Sequence, residues 1–114
     1  MGTVTIGIAT MDEVKRSTLA AFKGERQGGF ITFLSVANLM ETLTVKRWEI
    51  IQAMTGKGPM SVRNVARLVN RDVKAVHGDV QALMQTGVLD KDAKGQVVFP
   101  YDAVHVDFTF GRAA

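Results

Sequence analysis

The stretch that decides the fold is SVRNVARLVNRDVKAVHGDVQALMQTG, residues 61–87. It opens with Ser61, a suitable N-cap, followed by apolar residues at positions i, i+3, i+4 and i+7, which predict a short helix with one buried stripe. A tight turn at 70–72 follows, and Asp72 is a suitable N-cap for a longer helix that ends at Gly87. The second helix has an apolar stripe of its own, in phase with the first across this turn, formed by Val73, Val76, Val80, Leu83 and Met84. The sequence therefore predicts that the helices cross at a steep angle and that the second turns its outer face towards solvent.

The residues on either side of this stretch predict a further helix and a hairpin. Thr44 is a candidate N-cap for a helix over 45–54, which the glycine-rich segment 56–59 ends. After Gly87, two short apolar runs flank the polar segment 92–95, a pattern typical of a β-hairpin. A helix, a short helix, a tight turn, a longer helix and a hairpin, in this order, are typical of a winged helix-turn-helix.

The first 43 residues predict a strand–helix–strand extension. Residues 3–8 alternate in polarity, and residues 30–33 are rich in β-forming side chains. Between them, Thr10 and Glu13 are spaced as a capping box, which predicts a helix that ends near Gly24. Ser35 is then a candidate cap for a short helix.

The end of the chain predicts one more strand, half-buried, because residues 104–110 alternate between apolar and polar. The predicted fold class is α+β: a winged helix-turn-helix with an N-terminal strand–helix–strand extension. We divide the chain into an extension at 1–43, expected to serve dimerisation or partner binding, and a DNA-binding domain at 44–110.

Composition argues against an enzyme. The chain has 114 residues, no cysteine and two histidines, His77 and His105, which lie far apart in the sequence. We find no phosphate-binding glycine loop, no metal-ligand spacing and no nucleophile–base motif. The sequence therefore predicts no catalytic residue, no cofactor and no metal. No apolar run approaches a membrane span and no signal segment is evident, so we expect a cytoplasmic protein without a membrane partner.

The positive charge is concentrated in the middle of the chain. Residues 44–81 carry seven basic and three acidic residues, a net charge of +4, whereas the whole chain carries +3. Such a patch favours a polyanion, and double-stranded DNA is the partner we predict. A solvated basic face is the alternative explanation of the same charge.

The candidate contacts with DNA bases lie on the outer half of the second helix of the turn and in the turn itself, at positions given by a 100° advance per residue. Their small or hydrogen-bonding side chains suit an approach to base edges in the major groove. They are Arg71, Lys74, Ala75, His77, Gly78 and Gln81.

The candidate contacts with the phosphate backbone come from the first helix of the turn and from the hairpin. The first helix offers free amides at its start together with two arginines, and the hairpin offers two lysines. They are Ser61, Arg63, Arg67, Lys91 and Lys94.

Four side chains in this region have a structural interpretation as well. Asp79 fits a partner for an internal arginine better than a base contact, because an acid there repels phosphate. Arg47 suits an internal carboxylate or DNA equally well. Trp48 fits the core better than a ligand platform, and His77 fits either the helix seam or a DNA contact.

The motifs LTxxRWEII at 43–51, GPMSVRxxAR at 58–67 and NRDVKxVHxDVxxLxxTG at 70–87 resemble a prokaryotic family of winged helix-turn-helix predicted transcriptional regulators. That family is distantly MarR-like, and its members are often encoded beside small toxin genes. The similarity extends over nearly the whole chain, and VFPYD at 98–102 continues it. One departure concerns Gly78, where the resemblance implies a basic residue.

The resemblance implies a sequence-specific transcriptional regulator that represses its own operon as a homodimer. The alternative function is that of an antitoxin, which neutralises a partner toxin through the N-terminal segment or the last strand, with or without DNA binding.

Overall fold

The structure, a computed structural model, describes residues 2–8 and 29–108. These residues form four helices, a three-stranded sheet and a two-stranded sheet, so the chain is a small α+β protein. The elements in chain order are β1 Thr3–Ile8, β2 Gly29–Phe33, α1 Val36–Thr42, α2 Val45–Met54, α3 Val62–Val69, α4 Val73–Gln85, β3 Asp90–Lys91, β4 Val97–Val98 and β5 Ala103–Asp107. The helix predicted between β1 and β2 lies outside the described residues.

Each described helix begins at the cap that the sequence predicts. In all four, the cap side chain accepts the backbone N–H three residues later, which satisfies a donor that has no partner within the helix. The caps are Ser35, Thr44, Ser61 and Asp72, with distances of 3.0, 3.3, 3.1 and 3.2 Å.

The connection between α3 and α4 is the predicted tight turn. Asn70 adopts the left-handed conformation at φ 55°, and its N–H approaches the carbonyl of Arg67 at 3.2 Å. Asparagine tolerates this conformation better than most side chains, so α3 stops at this residue. At the far end of α4, Gly87 stops the helix in the same way, with φ 84°.

The predicted hairpin is confirmed as β3 and β4, which pair antiparallel between Asp90 and Val98. Its tip is held by Asp92, whose Oδ1 accepts the N–H of Gln96 at 2.8 Å. Met60 pairs with Val97 on the other side of β4, through two backbone hydrogen bonds of 2.8 and 2.9 Å. The hairpin is therefore fixed to the start of α3.

The three-stranded sheet has the order β2-β1-β5, and both of its pairings are parallel. β1 lies in the centre, between β2, the next strand along the chain, and β5, which begins almost a hundred residues later. The sheet thus joins the two segments that the sequence analysis divides at residue 43. We did not predict this pairing, because alternation indicates a strand but not its neighbour.

One core connects the sheet to the helices. Val4 and Ile6 of β1 are fully buried in the same cluster as Ile50 and Ile51 of α2. α3 and α4 contribute the predicted stripes to this cluster, among them Val65 and Val80. The strand face that carries Val4 and Ile6 is therefore the core face of the sheet.

Two predicted core positions are more exposed than expected. The helical period places Val73 in the buried stripe of α4, but its side chain is exposed because the first turn of that helix extends beyond the core. In β5, Val104 is half-buried, whereas Val106 is 45% exposed, because this strand forms the edge of the sheet. The prediction that β5 is half-buried is therefore correct only at its start.

None of the described helices is long and apolar enough to cross a membrane.

Candidate nucleic-acid interface

The centre of the candidate site is an ion-pair cluster of Asp79, Arg47 and Arg71, which we call the Asp79 cluster. Asp79 lies on α4, and its Oδ1 accepts a hydrogen bond from Nε of Arg47, on α2, at 3.1 Å. Its Oδ2 accepts a hydrogen bond from Nη2 of Arg71, in the turn before α4, at 2.9 Å. One carboxylate thus connects α2, the turn and α4.

The Asp79 cluster is largely removed from solvent. The side chains of Asp79, Arg47 and Arg71 are only 18%, 23% and 17% exposed. Burial alone would raise the pKa of Asp79, but the hydrogen bonds and positive charges of the two arginines outweigh it and lower that pKa below its ordinary value. Asp79 is therefore ionised at neutral pH.

Further hydrogen bonds anchor the two arginines. Arg47 also donates from Nη1 to the carbonyl of Thr42 at 3.1 Å, which connects the end of α1 to the cluster. The backbone N–H of Arg71 donates to the carbonyl of Ala66 in α3 at 3.0 Å. All four described helices are thus connected to one group of charges.

The Asp79 cluster decides two of the open interpretations. Arg47 binds a carboxylate within the fold, and Asp79 is the partner of an internal arginine, as predicted. Arg71 is engaged with the same carboxylate, a role that sequence reasoning missed, and its contact with DNA stays a prediction. Its Nη1 is buried without a hydrogen-bond partner among the described residues. No spacing in the sequence signals this bond, because Arg71 lies in the turn before the cap of α4, where the helical period does not apply.

The outer face of α4 carries no exposed acid. Lys74, Ala75, His77 and Gly78 are exposed on it, and Gln81 is half-buried at its edge. The side chains of His77 and Gln81 approach one another at 3.5 Å between their Nε2 atoms, one turn apart. His77 therefore lies on the surface of the helix and not in the seam.

Gly78 is open to solvent. A Cβ added there would find no atom within 4 Å, so packing within the chain does not require a glycine. The absence of a side chain leaves the middle of the face flat.

The predicted backbone contacts lie on two other elements. Ser61, Arg63 and Arg67 are exposed at the start and along the outside of α3, and Lys91 and Lys94 are exposed on the hairpin. Between α3 and α4 lies an open concavity of about 470 Å³, lined by Arg63, Arg67 and Arg71 together with Asp72 and apolar neighbours. Its lining is rich in positive charge, and Asp72 caps α4.

Trp48 packs against the core from α2 and is half-buried, which favours the structural interpretation. It also lines a groove with residues of α2 and β5, on the sheet side of the molecule. Among the residues that the structure describes, no three histidine, cysteine or acidic side chains are grouped so that they could hold a metal ion.

The fold and the site together define a small α+β protein whose two central helices present basic, exposed outer faces. The chain belongs to the HVO_A0114 family, whose model matches residues 42–106, more than half of its length. The matched segment contains the Asp79 cluster, both helices and the hairpin. A comparison with curated proteins finds no match.

Proposed function

We propose that residues 44–99 form a winged helix-turn-helix that binds double-stranded DNA sequence-specifically. α3 and α4 are then the helix-turn-helix, α4 is the recognition helix, and β3 and β4 are the wing. The order of these elements, the short turn at 70–72 and the attachment of the hairpin to the start of α3 support this assignment. The protein then acts in the cytoplasm as a transcriptional regulator that represses its own operon.

The observation that carries the proposal is the distribution of charge on α3 and α4. These helices contain three basic residues, Arg63, Arg67 and Lys74, and one acid, Asp79. That acid is turned inward and neutralised by two arginines. The outer faces of both helices thus present positive charge to an approaching polyanion, and the exposed carboxylate beside them, that of Asp72, is engaged as the cap of α4.

The two helices have different roles in this proposal. Lys74, Ala75 and Gly78 face base edges in the major groove, with His77 and Gln81 beside them. Ser61, Arg63 and Arg67 bind the phosphate backbone, and Lys91 and Lys94 bind it from the wing. Arg71 acts chiefly as a positioning residue, because its bond to Asp79 fixes the start of α4 relative to α2 and α3.

A single recognition helix gives weak specificity, so we propose that the protein binds as a homodimer. Two copies related by a two-fold axis contact half-sites about 34 Å apart, one turn of DNA.

Fluorescence anisotropy tests the proposal with the purified chain, the DNA upstream of its own gene and a scrambled DNA of equal composition. Five to seven phosphate contacts predict a slope of log K against log salt of roughly −4 to −6. A specific regulator prefers the upstream DNA by about a thousandfold or more. Equal, weak binding to both DNAs would contradict the proposal and favour a protein-interaction module such as an antitoxin.

Two lysine variants then test whether the outer face of α4 contacts DNA. Lys74→Ala should weaken specific binding about tenfold or more, a loss of about 1–3 kcal/mol. Lys57→Ala is the matched control, because Lys57 is an exposed lysine outside α3, α4 and the hairpin. The residue before it, Gly56, donates its N–H to the carbonyl of Tyr101, so this loop lies on the sheet side of the molecule. Equal effects of the two changes would refute the assignment of α4 as the recognition helix.

A further inference from the structure

We propose that β5 pairs with β5 of a second copy of this chain, antiparallel, about a two-fold axis at Val106. This contact joins the two three-stranded sheets into one continuous sheet. The inference names the surface of the homodimer, and it rests on the geometry of β5 and not on DNA binding.

The outer edge of β5 is open in the described part of the chain. β5 pairs with β1 on one side, and none of the described strands pairs with it on the other. Apolar side chains in and directly after the strand are accessible as well, since Val106 is 45% exposed and Phe108 is 38% exposed. An accessible strand edge with exposed apolar side chains is a template for pairing with another chain.

The sequence of β5 matches itself in one antiparallel register. Val104 and Val106 lie on one face of β5, and His105 and Asp107 lie on the other. Phe108, directly after the strand, continues the apolar side of this alternation. A one-residue slip would place the apolar side chains of one copy and the polar side chains of the other on the same face of the joined sheet. The axis must therefore pass midway between the two copies of one residue of β5, so that this residue lies opposite itself.

Charge decides which residue lies on the axis. With Val106 there, His105 lies opposite the partner's Asp107, and Asp107 lies opposite the partner's His105, so an unlike pair forms twice. With Asp107 on the axis, the two carboxylates would face each other. With His105 on the axis, the two imidazoles would face each other, and Asp107 would lie opposite the partner's Ala103.

The same register fills an open groove. This groove has a volume of about 380 Å³. It is lined by Trp48, Ile51 and Gln52 of α2, by Thr55 at the end of that helix, and by Val104 and Val106. A strand centred on Val106 places the partner's Phe108 opposite Val104, on the face that lines the groove. Burial of this aromatic ring on both sides of the axis supplies an apolar driving force.

Sedimentation equilibrium of the full chain tests the proposal through the dimer Kd. We expect the wild type to dimerise and Val106→Lys to raise the Kd about tenfold or more, because two lysines then face each other on the axis. The exposed position of Val106 in one copy lets the variant fold, which circular dichroism checks. Phe30→Lys, on the opposite edge strand, is the matched control, since Phe30 is 56% exposed and the change should leave the Kd unaltered.

A second pair of variants tests the register. His105→Asp places two carboxylates opposite each other and should weaken the dimer, whereas the exchange His105→Asp with Asp107→His should restore it. The proposal is overturned by a monomeric wild type, by an unchanged Kd in Val106→Lys, or by a larger effect of Phe30→Lys. An exchange variant as weak as His105→Asp alone would also refute this register.

Discussion

At the scale of single residues, Asp79 organises the helices. Its carboxylate accepts hydrogen bonds from Arg47 and from Arg71, which lies in the turn before α4. Arg47 also bonds to the end of α1, and the backbone of Arg71 bonds to α3. Removal of the negative charge leaves two largely buried guanidinium groups without their anion, which costs more than the loss of one hydrogen bond.

We therefore expect Asp79→Asn to lower the free energy of unfolding by about 2–3 kcal/mol at neutral pH. The pKa of Asp79 is lowered in the folded chain by Arg47 and Arg71. Its contribution is therefore complete above the pKa of the unfolded chain, about 3.9, and is lost as the pH falls through the folded value. Urea unfolding at several pH values should show the wild-type advantage shrinking below about pH 4.

Asp90→Asn is the control for this prediction. Asp90 is exposed on the hairpin and forms no ion pair within the described residues. The change should alter stability by less than about 0.5 kcal/mol. A similar loss in both variants, or a constant difference between wild type and Asp79→Asn from pH 7 to pH 3, would refute the role assigned to the Asp79 cluster.

At the scale of elements, α4 contains a destabilising residue that its packing does not require. Gly78 lies in the middle of the helix with no neighbour within 4 Å of an added Cβ. We expect Gly78→Ala to raise the free energy of unfolding by about 0.5–1 kcal/mol, because alanine loses less backbone entropy in a helix. Thermal unfolding measures this, with Ala75→Gly as the reciprocal change at an exposed site on the same helix.

The two changes should have opposite signs and similar size. Destabilisation by Gly78→Ala would mean that α4 is not regular at this residue.

At the scale of the whole molecule, the sheet connects both ends of the described chain to the helices. β1 and β5 are neighbours, the N–H of Asp102 donates to the carbonyl of Gly2 at 2.8 Å, and Val4 and Ile6 are buried in the shared core. Each such buried side chain contributes about 1.5–3 kcal/mol, so the sheet accounts for a large share of a marginal total.

The fragment 44–101 should therefore be much less stable than the full chain. We expect its melting temperature to fall by more than about 15 °C, or its cooperative transition to disappear, because loss of β1 and β5 uncovers the core face of α2. Circular dichroism against temperature measures this. An unchanged melting temperature would show that 44–101 is an independent domain and that the sheet adds no stability to it.

The helices, their caps and the tight turn were predictable, and so was the internal role of Asp79. Ser61, Thr44 and Asp72 act through atoms three residues away, and the stripes of α3 and α4 follow the helical period. The engagement of Arg71 was not predicted. The side chain of Arg71, in the turn, could extend into solvent or bind a buried acid. Only the packing of α4, which carries Asp79, decides between these two contacts.

The sequence by itself determined the described helices and strands of this protein, because caps, glycines and apolar periodicity act within a few residues. It also determined the basic character of α3 and α4, which is a matter of composition. Only the tertiary structure decided that β5 lies beside β1, that both pairings of β1 are parallel, and that Arg47 and Arg71 share one carboxylate. These contacts join residues that are distant along the chain. Their choice depends on which faces are buried together, and local spacing carries no information about that.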